Sequence, residues 1–174
     1  MSEKLFSTRV LAEAAMVIAL SVVLSNVKIF RMPQGGSVTA GSMIPLLWIS
    51  LRRGFRVGLL TCTVYGVVRL LLPGSYVVLP VQGLLDYPVA FGALGLAGLF
   101  KRYPLIGVDV GMLGRFIAHF VAGVVFFAEF APTGMSPIVY SIIYNGGYMS
   151  VEYVVSAIFI SHVLIKRGLL EIYL

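Results

Sequence analysis

Apolar residues run along the chain in six blocks that short polar segments separate. A membrane-spanning helix needs about 20 mostly apolar residues. Six stretches meet or approach that length: Arg9–Ile29, Val38–Leu51, Gly54–Leu72, Val81–Phe100, Leu105–Phe127 and Ile138–Ile165. The second stretch is too short to span a bilayer alone. The pattern predicts an all-α integral membrane protein with six transmembrane helices, a short second helix, and a single domain over residues 1–174.

Composition supports the membrane class. Hydrophobic residues make up 59% of the chain and charged residues 11%, against roughly 45–50% and about 25% in soluble domains. A soluble fold of this size could not bury so much apolar surface. The one cysteine, Cys62, lies in an apolar stretch, which excludes a disulfide framework or a cysteine-based metal site within the chain and favours a small buried residue. No cofactor is expected.

The net charge of +6 does not form the single basic patch that nucleic-acid binding would need, because the basic residues fall mostly in small groups between apolar stretches. If both termini are inside, the inside receives nine basic residues: Lys4, Arg9, Arg52, Arg53, Arg56, Lys101, Arg102, Lys166 and Arg167. The outside receives only Lys28 and Arg31, while Arg69 and Arg115 remain within the spans. This asymmetry predicts cytoplasmic termini.

The three predicted external segments share a composition rich in Pro, Gly and Ser, which favours turns and close backbone crossings. They are "RMPQGGSVTAGS", "LPGSYVVLP" and "EFAPTGMSP". Two interpretations stay open at this point: the segments cover a pocket, or they are simple connecting turns.

Several polar residues interrupt the last three spans. Asp86 lies inside the fourth span, and an acid there costs about 2.5–3.5 kcal/mol on insertion scales, so it usually faces a partner or a cavity. Tyr87 follows it, and His119 lies in the fifth span. The sixth span carries Tyr140, Tyr144, Asn145, Tyr148 and Glu152. An acid, an imidazole, an amide and several phenols would suit a small, flat, nitrogen-rich cation if these spans pack together.

Each of these residues also has a structural interpretation. Asp86 could pair with Arg69 or Arg115, and His119 could be a packing residue. The tyrosines could form an aromatic belt at the membrane interface, and Asn145 could join helices through hydrogen bonds. Glu152 and Arg115 are expected to be structural rather than ligand-binding.

The chain has none of the HExxH, GxSxG, Walker A or paired-cysteine motifs, so nucleotide hydrolysis is not expected of it. A transporter built on it needs energy from partner proteins or from an ion gradient. The first span offers a partner surface, because Ala12, Ala15 and Ala19 form a stripe of small residues that permits close helix packing in lipid. Packing within the chain's own bundle is the alternative.

Four blocks of the sequence resemble the thiamine-specific S-component of energy-coupling factor (ECF) transporters. These blocks are "MPQGGSVTAGSMIPLLWISLRRG", "LLDYPVAF", "AHFVAGVVFFAEFAP" and "YSIIYNGGYM", in the same order and spacing as in that family. The resemblance implies a prokaryotic plasma-membrane protein of six helices that captures thiamine from outside. It also implies a partnership with two ATPases and a transmembrane coupling protein, which the stripe at Ala15 and Ala19 would contact.

The resemblance further implies a thiamine pocket. Its expected members are Asp86 as the counter-charge, with Tyr76, Tyr87, His119, Phe127, Tyr140 and Asn145; Tyr148 is added from the polar inventory of the sixth span. Some relatives have Glu in place of Asp86 and Trp in place of Phe127. Three other functions remain alternatives: binding of another vitamin or a pyrimidine precursor (hydroxymethylpyrimidine, riboflavin or biotin), an intramembrane enzyme using His119 with Asp86 or Glu152, and a purely structural subunit.

Overall fold

The structure, a computed structural model, describes residues 7–165. Within them the chain forms six helices: α1 (Thr8–Asn26), α2 (Met43–Arg53), α3 (Phe55–Leu71), α4 (Pro80–Phe100), α5 (Pro104–Phe126) and α6 (Pro137–Phe159). A π-helical turn, Ile160–Ile165, continues α6. The prediction of an all-α bundle with a short second helix is confirmed. Three residues counted on the inside, Lys4, Lys166 and Arg167, lie outside the described range.

A small antiparallel hairpin connects α1 to α2, with strands β1 (Lys28–Arg31) and β2 (Ser37–Thr39). The predicted ends of the first two spans were therefore wrong, since the first helix stops at Asn26 and the second begins at Met43. Short apolar strand segments cannot be told from helix ends by hydropathy alone. In the turn between the two strands, Gln34 and Gly35 have positive φ angles of 55° and 94°. Extended strands do not contain this geometry, so the turn separates β1 from β2.

The short helix α2 lies in the interior of the bundle, packed against α1, α3 and α4. Leu46, Leu47 and Ile49 are fully buried, and Leu51 is 1% exposed. Because its neighbours surround it, α2 does not have to span the apolar layer by itself. Cys62 of α3 is buried against this helix, as the sequence led us to expect.

The outer surface of the bundle is apolar. Met16 is 64% exposed, Leu71 78%, and Val125 and Ile143 60% each. Large apolar side chains covering the outside of a fold indicate contact with lipid or with other proteins. By length and composition, α1, α4 and α5 are long and apolar enough to cross a membrane.

A charge cluster joins α1 to α2 at the end of the bundle opposite the hairpin. Glu13 accepts two hydrogen bonds from Arg53, one from Nε at 2.7 Å and one from Nη2 at 2.5 Å. Paired bonds of this kind fix geometry more strongly than a single contact. The Arg53–Glu13 pair therefore connects the C-terminal end of α2 to α1.

Candidate substrate-binding site

The helix α4 is irregular where it carries its acid. Residues Leu85–Val89 form a π-helical turn that contains Pro88. Proline has no N–H to donate to the preceding turn, and such local widening is frequent at functional sites. Gly66 of α3 lets α3 approach this turn closely, because a Cβ there would lie 2.6 Å from the carbonyl oxygen of Tyr87. The packing of α3 thereby fixes the position of Asp86 and Tyr87.

The Asp86 carboxylate is held by two side chains. Its Oδ1 lies 2.7 Å from His119 Nδ1 of α5, and its Oδ2 accepts a hydrogen bond of 2.6 Å from Gln82 Nε2. An ionised carboxylate only accepts hydrogen bonds, so Nδ1 is the donor to it. Of the described residues, neither Arg69 nor Arg115 ion-pairs with Asp86. The structural interpretation, in which Asp86 forms an ion pair with an arginine, is therefore wrong.

The loop between α3 and α4 is attached to the same turn. Gln82 accepts a hydrogen bond from Val78 N at 2.9 Å and donates one to the Tyr76 carbonyl at 3.3 Å. The Tyr87 hydroxyl accepts from Tyr76 N at 2.7 Å. Tyr76 is thereby set beside Phe127, with 6.0 Å between ring centroids. The two rings form an aromatic wall near the acid.

One face of α6 supplies the opposite wall. The Tyr148 ring lies 6.2 Å from the His119 ring, centroid to centroid, and the Tyr148 hydroxyl donates to Asn145 Oδ1 at 3.3 Å. The Asn145 amide donates to the His119 carbonyl at 3.2 Å and to Ser141. Asn145 therefore joins α5 to α6, as its structural interpretation held, while also lying at the cavity surface.

The hairpin closes over this face through polar contacts with α6. The Tyr144 hydroxyl accepts from Gly36 N at 3.0 Å and donates to the Pro33 carbonyl. Deeper in the bundle, Glu152 Oε1 accepts two hydrogen bonds from Thr39, from its N–H at 2.5 Å and its hydroxyl at 2.8 Å. Glu152 is 1% exposed. These contacts make the first of the three segments that were predicted to be external a cover, not only a connecting turn.

All eight residues that the sequence proposed as substrate-binding line one cavity: Tyr76, Asp86, Tyr87, His119, Phe127, Tyr140, Asn145 and Tyr148. Further residues of that lining were not among the eight, including Lys28, Gln34, Arg69, Arg115 and Tyr144. From the sequence, Arg69 and Arg115 were considered as partners of Asp86, and Tyr144 as one of the polar residues of the sixth span. Lys28 entered only the charge count, and Gln34 was not singled out. Glu152 is not part of the lining.

The alanine stripe of α1 faces outward. Ala12, Ala15 and Ala19 are all exposed, whereas the buried residues of α1 are Val10, Val17, Ser21 and Ser25 on its other side. The stripe therefore does not pack within its own bundle. Whether a partner covers it stays a prediction from the sequence.

Six helices that enclose a polar cavity walled by aromatic rings, with an apolar outer surface, define a membrane-embedded substrate-binding protein. A family model described as "Thiamine transporter protein" matches residues 11–171 of the chain. The chain belongs to this family of thiamine transporters, and the resemblance to thiamine-specific S-components is confirmed.

Individual relatives agree with that assignment. The thiamine transporter ThiT of Bacillus subtilis is 39% identical over 166 residues, covering 85% of this chain and 86% of that protein. ThiT of Lacticaseibacillus paracasei is 32% identical over 161 residues, covering 79% and 78%. A solved structure of ThiT from Listeria monocytogenes superposes with a TM-score of 0.85 at 26% identity, covering 94% of this chain and 97% of that one.

Proposed function

We propose that the chain is the substrate-binding subunit of a thiamine importer and works as a single six-helix domain in the plasma membrane of a prokaryote. It captures thiamine from outside, with both termini in the cytoplasm, and delivers the vitamin inward. Membership of the thiamine transporter family supports this function.

The observation that carries the proposal is the Asp86 carboxylate, held by His119 and Gln82 at the surface of an aromatic cavity. Thiamine consists of a flat aminopyrimidine joined to a positively charged thiazolium ring. A carboxylate in a low-dielectric site attracts that charge more strongly than it would in water. The faces of Tyr76, Phe127 and Tyr148 suit both rings and add cation–π attraction.

We infer that inward delivery requires partner proteins: a transmembrane coupling protein and two ATPases of an ECF module. The chain itself carries no nucleotide-hydrolysing motif, so hydrolysis falls to those partners and the chain acts as a transport subunit rather than an enzyme. The outward-facing alanines Ala12, Ala15 and Ala19 offer the coupling protein a surface without bulky side chains, where helix backbones can approach closely.

Calorimetric titration of the purified full-length chain in detergent tests the function. Thiamine should bind at one saturable site per chain. Competition with hydroxymethylpyrimidine, riboflavin and biotin distinguishes the alternatives, and thiamine should displace each of them. A folded chain that gives no saturable heat with thiamine, or that prefers one of the competitors, would contradict the proposal.

A further inference from the structure

The cavity that holds Asp86 carries more positive than negative charge. Three cationic side chains line it, Lys28, Arg69 and Arg115, and Asp86 is the one carboxylate in that lining among the described residues. A site whose only task is to bind a cation gains nothing from additional positive charges, because like charges repel more strongly where water is excluded. The surplus cations therefore need an explanation of their own.

Arg115 is engaged by packing on part of its guanidinium, although its Nε is buried without a hydrogen-bond partner among the described residues. Its Nη1 contacts the Met43 sulfur at 2.8 Å, and its guanidinium lies 4.6 Å from the centre of the Phe91 ring. Arg69 differs. The residue is only 7% exposed, and its Nη1 is buried and has no hydrogen-bond partner within residues 7–165.

A buried guanidinium without a partner is costly. A charge that is left uncompensated in the interior of a protein destabilises the fold. The five N–H donors of a guanidinium form a planar fork that matches the oxygens of a phosphate group. An anion that enters the cavity would satisfy the donors that the chain leaves unpaired.

Lys28 provides a second cation beside the same region of the cavity. It is the first residue of β1 and is half-buried. Burial first, and then the positive charges of Arg31 and Arg69, hold the pKa of Lys28 below its ordinary value. Lys28 and Arg69 line the same cavity, and two cations in one cavity are an arrangement that a bound anion would stabilise.

We propose that Arg69 and Lys28 form an anion-binding subsite of the cavity, which takes a phosphate group. The phosphate has two possible sources with the same chemistry: an ester on the hydroxyethyl arm of the vitamin, or free inorganic phosphate bound beside it. The first form rests on the proposed function; the second does not. A zwitterionic ligand with a cation near Asp86 and a phosphate near Arg69 would complement both ends of the cavity.

The test compares thiamine, thiamine monophosphate and inorganic phosphate by calorimetric titration of the full-length chain. The variants are Arg69→Gln and Lys28→Gln, and Arg31→Gln is the matched control, since Arg31 is an exposed cation of the same hairpin outside the cavity lining. We expect the affinity ratio of thiamine monophosphate to thiamine to fall about tenfold in either variant, the effect of losing one charge-assisted contact. It should stay unchanged in Arg31→Gln.

The outcomes separate the two sources. If the subsite binds inorganic phosphate, adding inorganic phosphate will strengthen thiamine binding to the wild type. The same addition will have no effect on thiamine binding to either variant. Identical ratios and identical phosphate effects in wild type and variants would overturn the subsite. If thiamine itself does not bind, the proposed function fails, and direct titration with inorganic phosphate still decides the subsite: heat that Lys28→Gln abolishes supports it, and no heat overturns it. If Arg69→Gln fails to fold, the Lys28→Gln variant, whose substitution lies in the hairpin, still tests the subsite.

Discussion

The Asp86 carboxylate and the His119 imidazole lie 2.7 Å apart, although 33 positions separate them in the chain. The contact joins the π-helical turn of α4 to the middle of α5. His119 Nε2, on the other side of the ring, is buried and has no hydrogen-bond partner among the described residues. The pair therefore places a carboxylate at the cavity and leaves one ring nitrogen of His119 buried without a partner within residues 7–165.

Replacing Asp86 by Asn should weaken thiamine binding by at least about 30-fold, or about 2 kcal/mol, the lower range for losing one member of a buried charge pair. The amide keeps the shape of the carboxylate and removes its charge, so the change isolates electrostatics from packing. Calorimetric titration measures the dissociation constant directly.

Asp109→Asn is the matched control. Asp109 also lies in a membrane helix, but its carboxylate accepts a hydrogen bond of 2.8 Å from the Tyr153 hydroxyl, outside the cavity lining. Its replacement should leave the dissociation constant for thiamine unchanged. Equal losses in both variants would mean that Asp86 acts through general stability and not as the counter-charge of the ligand.

Hydropathy predicted the six helices because a bilayer imposes a length of apolar sequence that few other structures share. It failed at the hairpin, where Val27 and Ile29 continue the apolar character of α1 although the chain has already left the helix. The residue types of the cavity were predictable, since an acid or imidazole in a span is rare enough to stand out.

The pairing within the cavity was not predictable from spacing. Asp86 had two arginines as equally plausible partners in the sequence, and only the packing of α4 on α5 selects His119. The π-helical turn was likewise invisible to periodicity, although Pro88 marked a point where regular hydrogen bonding had to fail. Pairings between distant helices depend on the tertiary fold, which the local pattern does not contain.

Gly66→Ala should both destabilise the protein and weaken thiamine binding. The new methyl group would meet backbone atoms, with the Tyr87 carbonyl oxygen at 2.6 Å and Pro88 Cα at 2.7 Å, so α3 has to move away from the turn that carries Asp86. Overpacking of this kind costs about 1–3 kcal/mol. Thermal unfolding and thiamine titration of the same sample measure the two effects.

Gly146→Ala provides the comparison, because a Cβ at that helical position meets nothing within 4 Å. Alanine is favoured over glycine inside a helix, so this variant should be as stable as the wild type or slightly more stable. If Gly66→Ala behaved like Gly146→Ala, the close approach of α3 to the turn would not be what positions the acid.

Glu152→Ala should loosen the hairpin from α6. The change removes the acceptor of the Thr39 N–H, and a buried donor left without a partner costs about 1–3 kcal/mol. The Thr39 hydroxyl retains Ser42 as a second partner at 2.8 Å, so the backbone N–H carries most of the effect. We expect the midpoint of thermal unfolding to fall by about 4–8 °C for a loss near 2 kcal/mol.

Glu152→Gln and Glu129→Ala test that assignment. The glutamine variant keeps a carbonyl oxygen for Thr39 and should lose much less stability than the alanine variant. Glu129 is exposed in the loop before α6, so its removal should not change the unfolding temperature. A Glu152→Gln variant as unstable as Glu152→Ala would show that the negative charge matters and not the hydrogen bonds to the hairpin.

Ala15→Trp should abolish assembly with the coupling module while leaving thiamine affinity intact. Ala15 is exposed on the outer face of α1 and is not part of the cavity lining, and an indole there would hold two helix backbones apart where small residues let them touch. Co-purification of the tagged chain with the coupling protein and ATPases measures assembly, and titration of the same variant measures binding. Ile158→Trp is the control, because Ile158 is 57% exposed on the outer face of α6 and lies away from the stripe. Assembly should survive that change; retention of the module by Ala15→Trp as well would move the partner surface elsewhere on the bundle.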